Sequence, residues 1–142
     1  MKQIFSKINE GQLLHIVHYF EDIEDDRNDI VPESEFIQLS SLKMNKGKTF
    51  RPHKHVFKPG PEACIAQESW TIIKGMVKVM FYDLDDALLE EHVLKAGDCS
   101  VTLQGGHNYL ILEDDTLVYE YKTGPYHGQK LDKVFLNEKR SN

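Results

Sequence analysis

From about residue 45 onward, turn-forming clusters recur at intervals of roughly eight to twelve residues, a spacing that fits an all-β sandwich or barrel. The punctuation is Asn45-Lys46-Gly47, Lys74-Gly75, Asp83-Leu84-Asp85-Asp86, Lys95-Ala96-Gly97-Asp98, Gln104-Gly105-Gly106, Glu113-Asp114-Asp115 and Thr123-Gly124-Pro125. Between these turns the chain predicts strands over 36–44, 49–56, 68–74, 76–82, 88–94, 99–103, 107–112 and 117–122. Residues 76–82 alternate most cleanly. Val77, Val79 and Phe81 fall on one face, and Lys78, Met80 and Tyr82 on the other. Residues 58–62 are predicted as a loop, because Pro59 and Pro61 would each remove a donor from a sheet ladder.

The first 35 residues are harder to read. Residues 12–20 fit neither the helical nor the strand period well, so a helical turn and a strand both stay open. We treat 1–35 as an N-terminal extension open to a dimer-contact role, 36–136 as a single barrel and 137–142 as a polar tail. The run Glu24-Asp25-Asp26 reads as a solvated loop.

A length of 142 residues with 40% hydrophobic content is sufficient for one buried core. The net charge of −6 argues against a nucleic-acid partner, since phosphate binding needs a cationic surface. No apolar run approaches the ~20 residues that cross a bilayer. The N-terminus lacks an apolar secretory stretch, and two cysteines are too few for a disulfide framework. These features give a cytoplasmic expectation.

His53 and His55 stand two apart on a predicted strand, so their imidazoles point to the same face. Glu68 and His107 follow on later strands. Three imidazoles and one carboxylate suit a divalent first-row metal, namely zinc, iron, nickel or manganese. Arg51, two residues before His53, shares its face and is a candidate for binding an anionic group. Trp70 lies two after Glu68 as a candidate pocket wall, and Tyr109 two after His107 as a candidate proton donor. Lys78 and Tyr82 are candidate substrate-binding residues at the cavity or its mouth. Cys64 sits in the loop near the histidine strand.

Taken in order, Gly47, His53, His55, Glu68 and Gly75 resemble the first sequence pattern of the cupin superfamily. One spacing departs: twelve residues separate His55 from Glu68, and the Pro59/Pro61 loop accounts for the excess. Gly97, Gly105 and His107 resemble the second pattern, although Leu103 replaces its proline and no asparagine follows at the expected place. The segment from Tyr119 to Tyr126, with Leu131-Asp132-Lys133-Val134-Phe135, is similar to the end of the WbuC-type cupins. So is Arg51-Pro52-His53-Lys54-His55.

The resemblance implies a double-stranded β-helix, or jelly-roll barrel. It implies one divalent metal on His53, His55, Glu68 and His107, a small-molecule ligand that is a saccharide, and a homodimer. It implies work on a sugar or sugar nucleotide in surface-polysaccharide biosynthesis. Isomerisation, epimerisation or dehydration next to a carbonyl would then be assisted by the metal, with Glu68 or Tyr109 moving the proton. An iron-dependent dioxygenase acting on a small acid and a non-catalytic saccharide-binding cupin are the alternatives. The terminal signature around Lys122, Tyr126, Asp132 and Lys133 is expected to be structural or to contact a dimer partner.

Overall fold

A computed structural model describes residues 1–58 and 64–136. The loop expected over 58–62 and the polar tail therefore lie almost wholly outside the described residues. Twelve strands account for most of the rest. They are β1 (Lys2–Phe5), β2 (Leu13–Val17), β3 (Asp26–Asp29), β4 (Ile37–Met44), β5 (His53–His55) and β6 (Glu68–Lys74). After them come β7 (Met76–Tyr82), β8 (Leu88–Lys95), β9 (Cys99–Thr102), β10 (Gly106–Ile111), β11 (Thr116–Thr123) and β12 (Lys133–Phe135). Among the described residues, one short helix, α1 (Gln129–Asp132), precedes β12, and a single 3-10 turn covers Phe20–Asp22.

The strands form two five-stranded antiparallel sheets, ordered β12-β5-β10-β7-β8 and β3-β4-β11-β6-β9. β1 and β2 make a separate hairpin. Residues 12–20, left open by the sequence, are thus mainly strand. β3 also joins the sheet of β4, so the barrel draws on residues before position 36. Asp26 opens that strand, which corrects the reading of Glu24-Asp25-Asp26 as loop throughout.

Both sheets turn alternate residues inward, as the pleat dictates. Leu42, Met44, Trp70, Ile72 and Val118 come from one sheet, and Val77, Val79, Tyr109 and Ile111 from the other, to form the core. Phe50, Phe81 and Leu94 close its margins. At the β6–β7 turn, Gly75 has φ +85° and Thr116 occupies the space that a Cβ would fill, so the position needs a glycine. The architecture is the jelly roll that the family resemblance implies, within the all-β class expected from the turn rhythm.

Candidate metal centre

The inward faces change character along the barrel. In β6, Ile72 lies in the apolar core while Trp70 and then Glu68 carry the same face toward polar ground. In β10, the inward series is Ile111, Tyr109, His107. Neighbouring strands keep step, because Glu68 is opposite Thr102 and Lys122, and Trp70 is opposite Ser100 and Glu120. One end of the space between the sheets is therefore apolar and the other holds charges.

His53 and His107 are direct cross-strand partners, which brings their rings together. Their Nε2 atoms lie 3.2 Å apart. Glu68 reaches across from the other sheet, with Oε1 3.2 Å from His107 Nε2 and Oε2 3.3 Å from His55 Nε2. All four residues are buried, and their potential ligand atoms lie within 4.8 Å of one another. Metal–nitrogen and metal–oxygen bonds of about 2.0–2.2 Å put the ligand atoms of one cation about 3–4.4 Å apart. The separations of 3.2 and 3.3 Å fall within that range.

The far side of each ring is also fixed. His53 Nδ1 donates to the Arg51 carbonyl oxygen at 3.2 Å. His55 Nδ1 lies 3.3 Å from both the Asp132 carboxylate and the Asp132 carbonyl oxygen. His107 Nδ1 lies 2.9 Å from the Thr102 hydroxyl. A carbonyl oxygen can only accept, so His53 carries its proton on Nδ1 and presents an Nε2 lone pair inward. Such outer bonds orient metal-binding imidazoles and set their tautomer.

The electrostatics support the same reading. Burial, reinforced by the neighbouring His107 and Lys133, pushes His53 down to about 3, so its ring is neutral at physiological pH. Burial also acts against charge on His55, yet hydrogen bonds to Asp132 and Glu68 outweigh it and lift this ring to about 9. Glu68 is opposed by burial but held well below the ordinary carboxylate range by His107 and His55. Neutral His53, its lone pair facing another ring nitrogen, and an ionised carboxylate beside them form a donor set that fits a divalent cation.

A cavity of about 290 Å³ opens onto His53 and Glu68. Phe50, Trp70 and Tyr109 form an aromatic wall, with Trp70 stacked on Tyr109 at 3.9 Å between ring centroids. Arg27, Asp29, Ser40 and Glu120 line another side as one network. Arg27 Nη2 donates to Glu120 and to Ser40 at 2.8 Å each, and its Nε donates to Asp29 at 2.9 Å. Trp70 Nε1 donates to the second Glu120 oxygen at 3.0 Å. Lys122, Tyr126 and Lys133 complete the lining together with Gln38 and Glu33.

Of the residues singled out in the sequence, the structure thus brings His53, His55, Glu68 and His107 together, and places Trp70 and Tyr109 on the cavity wall. Tyr109 turns its hydroxyl to Ser100 at 3.0 Å, and burial raises its phenol well above the ordinary value. It enters the cavity as a packed ring. Three other candidates lie outside the cavity lining. Lys78 occupies the opposite face of β7 from Val77 and Val79, where it pairs with Glu91 at 3.2 Å. Tyr82 shares that outer face. Arg51 points outward and stacks on Phe135, its guanidinium 4.4 Å from the ring centroid. Because β5 begins only at His53, strand alternation does not carry back to Arg51. Cys64 and Cys99 are free and exposed.

The sequence reading gave Asp132 a structural or dimer-contact role and missed its place beside His55. Its carboxylate is buried at 1% exposure beside His55, with Lys122 Nζ at 3.1 Å and Lys58 Nζ at 3.7 Å. Burial opposes its charge, but His55 and Lys122 hold it below its ordinary value. The terminal segment expected to be structural therefore supports a metal-facing ring. Glu120 and Lys122 were legible in principle, since they continue the inward parity of Val118 in β11.

No family model matches the chain, and no curated protein sequence does. Solved structures do share its fold. The capsular polysaccharide assembling protein CapF from Staphylococcus aureus aligns with TM-score 0.64 and 17% identity over 78% of this chain, which spans 31% of CapF. KdgF from a Halomonas species aligns with TM-score 0.55 and 20% identity, covering 71% of this chain and 80% of its own. An uncharacterised double-stranded β-helix protein from Klebsiella pneumoniae gives TM-score 0.55 and 15% identity over 80% and 86% of the two chains. At these identities the similarity establishes the fold alone: this chain is a double-stranded β-helix. Among the described residues no helix is long and apolar enough to cross a membrane.

Proposed function

We propose that this protein is a metal-dependent enzyme whose substrate is a sugar or sugar nucleotide, with the reaction next to a carbonyl carbon. The observation that carries the reading is the buried His53, His55, Glu68 and His107 cluster opening into a polar cavity of about 290 Å³. A divalent cation held by these four side chains would supply Lewis-acid polarisation of a carbonyl or hydroxyl oxygen. The protein's own groups do the rest. Asp132, Arg51 and Thr102 hold the three rings so that their Nε2 atoms converge. The Arg27, Asp29, Ser40 and Glu120 network offers donors and acceptors to hydroxyl groups. Phe50, Trp70 and Tyr109 exclude water from one side.

Glu68 is the carboxylate within the histidine cluster and on the cavity lining. Both its oxygens are engaged by histidines, so accepting a proton requires it to release one of them. Tyr109 keeps its proton and turns its hydroxyl to Ser100, so it packs the wall and is not a base. The context of surface-polysaccharide assembly, a homodimeric state and a cytoplasmic location are part of the same proposal. CapF, one of the solved structures of this fold, assembles capsular polysaccharide, which is in keeping with it.

The test is incubation of the zinc-, manganese- or iron-loaded protein with nucleotide sugars in deuterium oxide, followed by NMR. Deuterium entering a sugar position adjacent to a carbonyl supports isomerase or epimerase chemistry. Oxygen uptake with ferrous iron and a small acid, without deuterium incorporation, overturns it in favour of an oxygenase. Binding without any product overturns the enzyme reading.

A further inference from the structure

The cavity's charges are mostly satisfied by one another. Arg27 is held by Glu120 and Asp29, Lys122 by Asp132, and Glu68 by His55 and His107. Lys133 is different. It lines the same cavity, from β12 at the position opposite His55, and has no ion-pair partner among the described residues. Its charge is felt at His53. The residue is partly exposed and shares the cavity lining with His53 and Glu68.

A single unpaired cation beside a ligand site recruits an anion. The same cavity is lined by Asp29, Glu33, Glu68 and Glu120, which disfavour a dianion. A phosphate also calls for several converging donors, and one ammonium supplies a point charge. We propose that Lys133 anchors a carboxylate on the small molecule that fills this cavity, making the site selective for acidic over neutral polyhydroxylated ligands. This rests on the reading of the cavity as a saccharide site.

The test uses the fluorescence of Trp70, the chain's single tryptophan and part of the cavity wall, in metal-free and zinc-loaded protein. The probes are D-glucuronate, D-glucose, D-glucose 6-phosphate and pyruvate. Metal-free protein is expected to bind glucuronate at least about tenfold more tightly than glucose, the scale of one hydrogen bond to a charged group. Lys133→Met removes that gap and Lys133→Arg preserves it, with Lys133→Gln as a second neutral variant should the first fail to fold. Equal affinity for glucuronate and glucose, a gap that survives in Lys133→Met, or failure of every acid to bind overturns the proposal. Tighter binding of glucose 6-phosphate than of glucuronate overturns the choice of carboxylate. Lys133-dependent binding of pyruvate with none of glucuronate supports the anchor and overturns the saccharide reading instead.

Discussion

The two ends of the space between the sheets are built from the same strands and serve different ends. At one end Leu42, Ile72, Val77, Val79, Ile111 and Val118 meet with no polar atom to satisfy. At the other, a few residues along β6, β10 and β11, the inward positions are Glu68, His107, Glu120 and Lys122. Burying charged groups costs free energy unless each has a partner. Here the partners are supplied from short or late elements: Arg27 from β3, and Asp132 from the end of α1. The apolar end stabilises the fold, and the polar end is tolerated because its buried carboxylates, Glu68, Glu120 and Asp132, are paired.

That contrast can be broken most severely at the apolar end. Ile111→Ala, at a fully buried position, should lower stability by about 2–5 kcal/mol, read from the urea midpoint. The protein that remains folded should keep its metal-binding capacity. Loss of metal binding by the folded fraction would show that the two ends are not separable.

At the polar end the effects should fall on the metal. Asp132→Asn weakens the hold on His55 Nδ1, so metal affinity should drop by about ten- to a hundredfold in a competitive chelator titration. Unchanged affinity would remove Asp132 from the site.

A pH series sharpens the same point. His55 in the metal-free protein is raised to about 9 from an ordinary 6.5, so its interactions with Asp132 and Glu68 stabilise the fold fully below about 6.5 and fade as the pH climbs through about 9. A metal must displace that proton, so affinity should rise by about tenfold per pH unit between 7 and 9. Calorimetry in buffers of differing ionisation enthalpy should record proton release on binding. The smallest effect belongs to the outer face: Lys78→Ala, which removes a part-exposed pair with Glu91, should change stability by no more than about 1 kcal/mol and leave metal binding unchanged.

Much of this was legible in the chain because it is written in local order. Turn clusters marked the strands, and His53-Lys54-His55 declared a shared face within three residues. Glu68 and His107 were legible through the resemblance to the cupin patterns. What stayed hidden depends on register between strands distant in sequence. Arg27 reaches the cavity only because a short, acidic β3 pairs with β4, and no apolar period announces such a strand. Asp132 sits on a four-residue helix whose placement beside His55 is set by the pairing of β12 with β5. Alternation also misled: it put Arg51 on the histidine face, whereas the regular strand begins two residues later.

The central claim is that four side chains from β5, β6 and β10 bind one divalent cation. Elemental analysis of wild-type protein beside the His53→Ala variant, both reloaded with zinc and desalted, tests it most directly. The account predicts about one equivalent in the wild type and almost none in the variant, both remaining folded by circular dichroism. Equal zinc in the two proteins, or none in either, would contradict it.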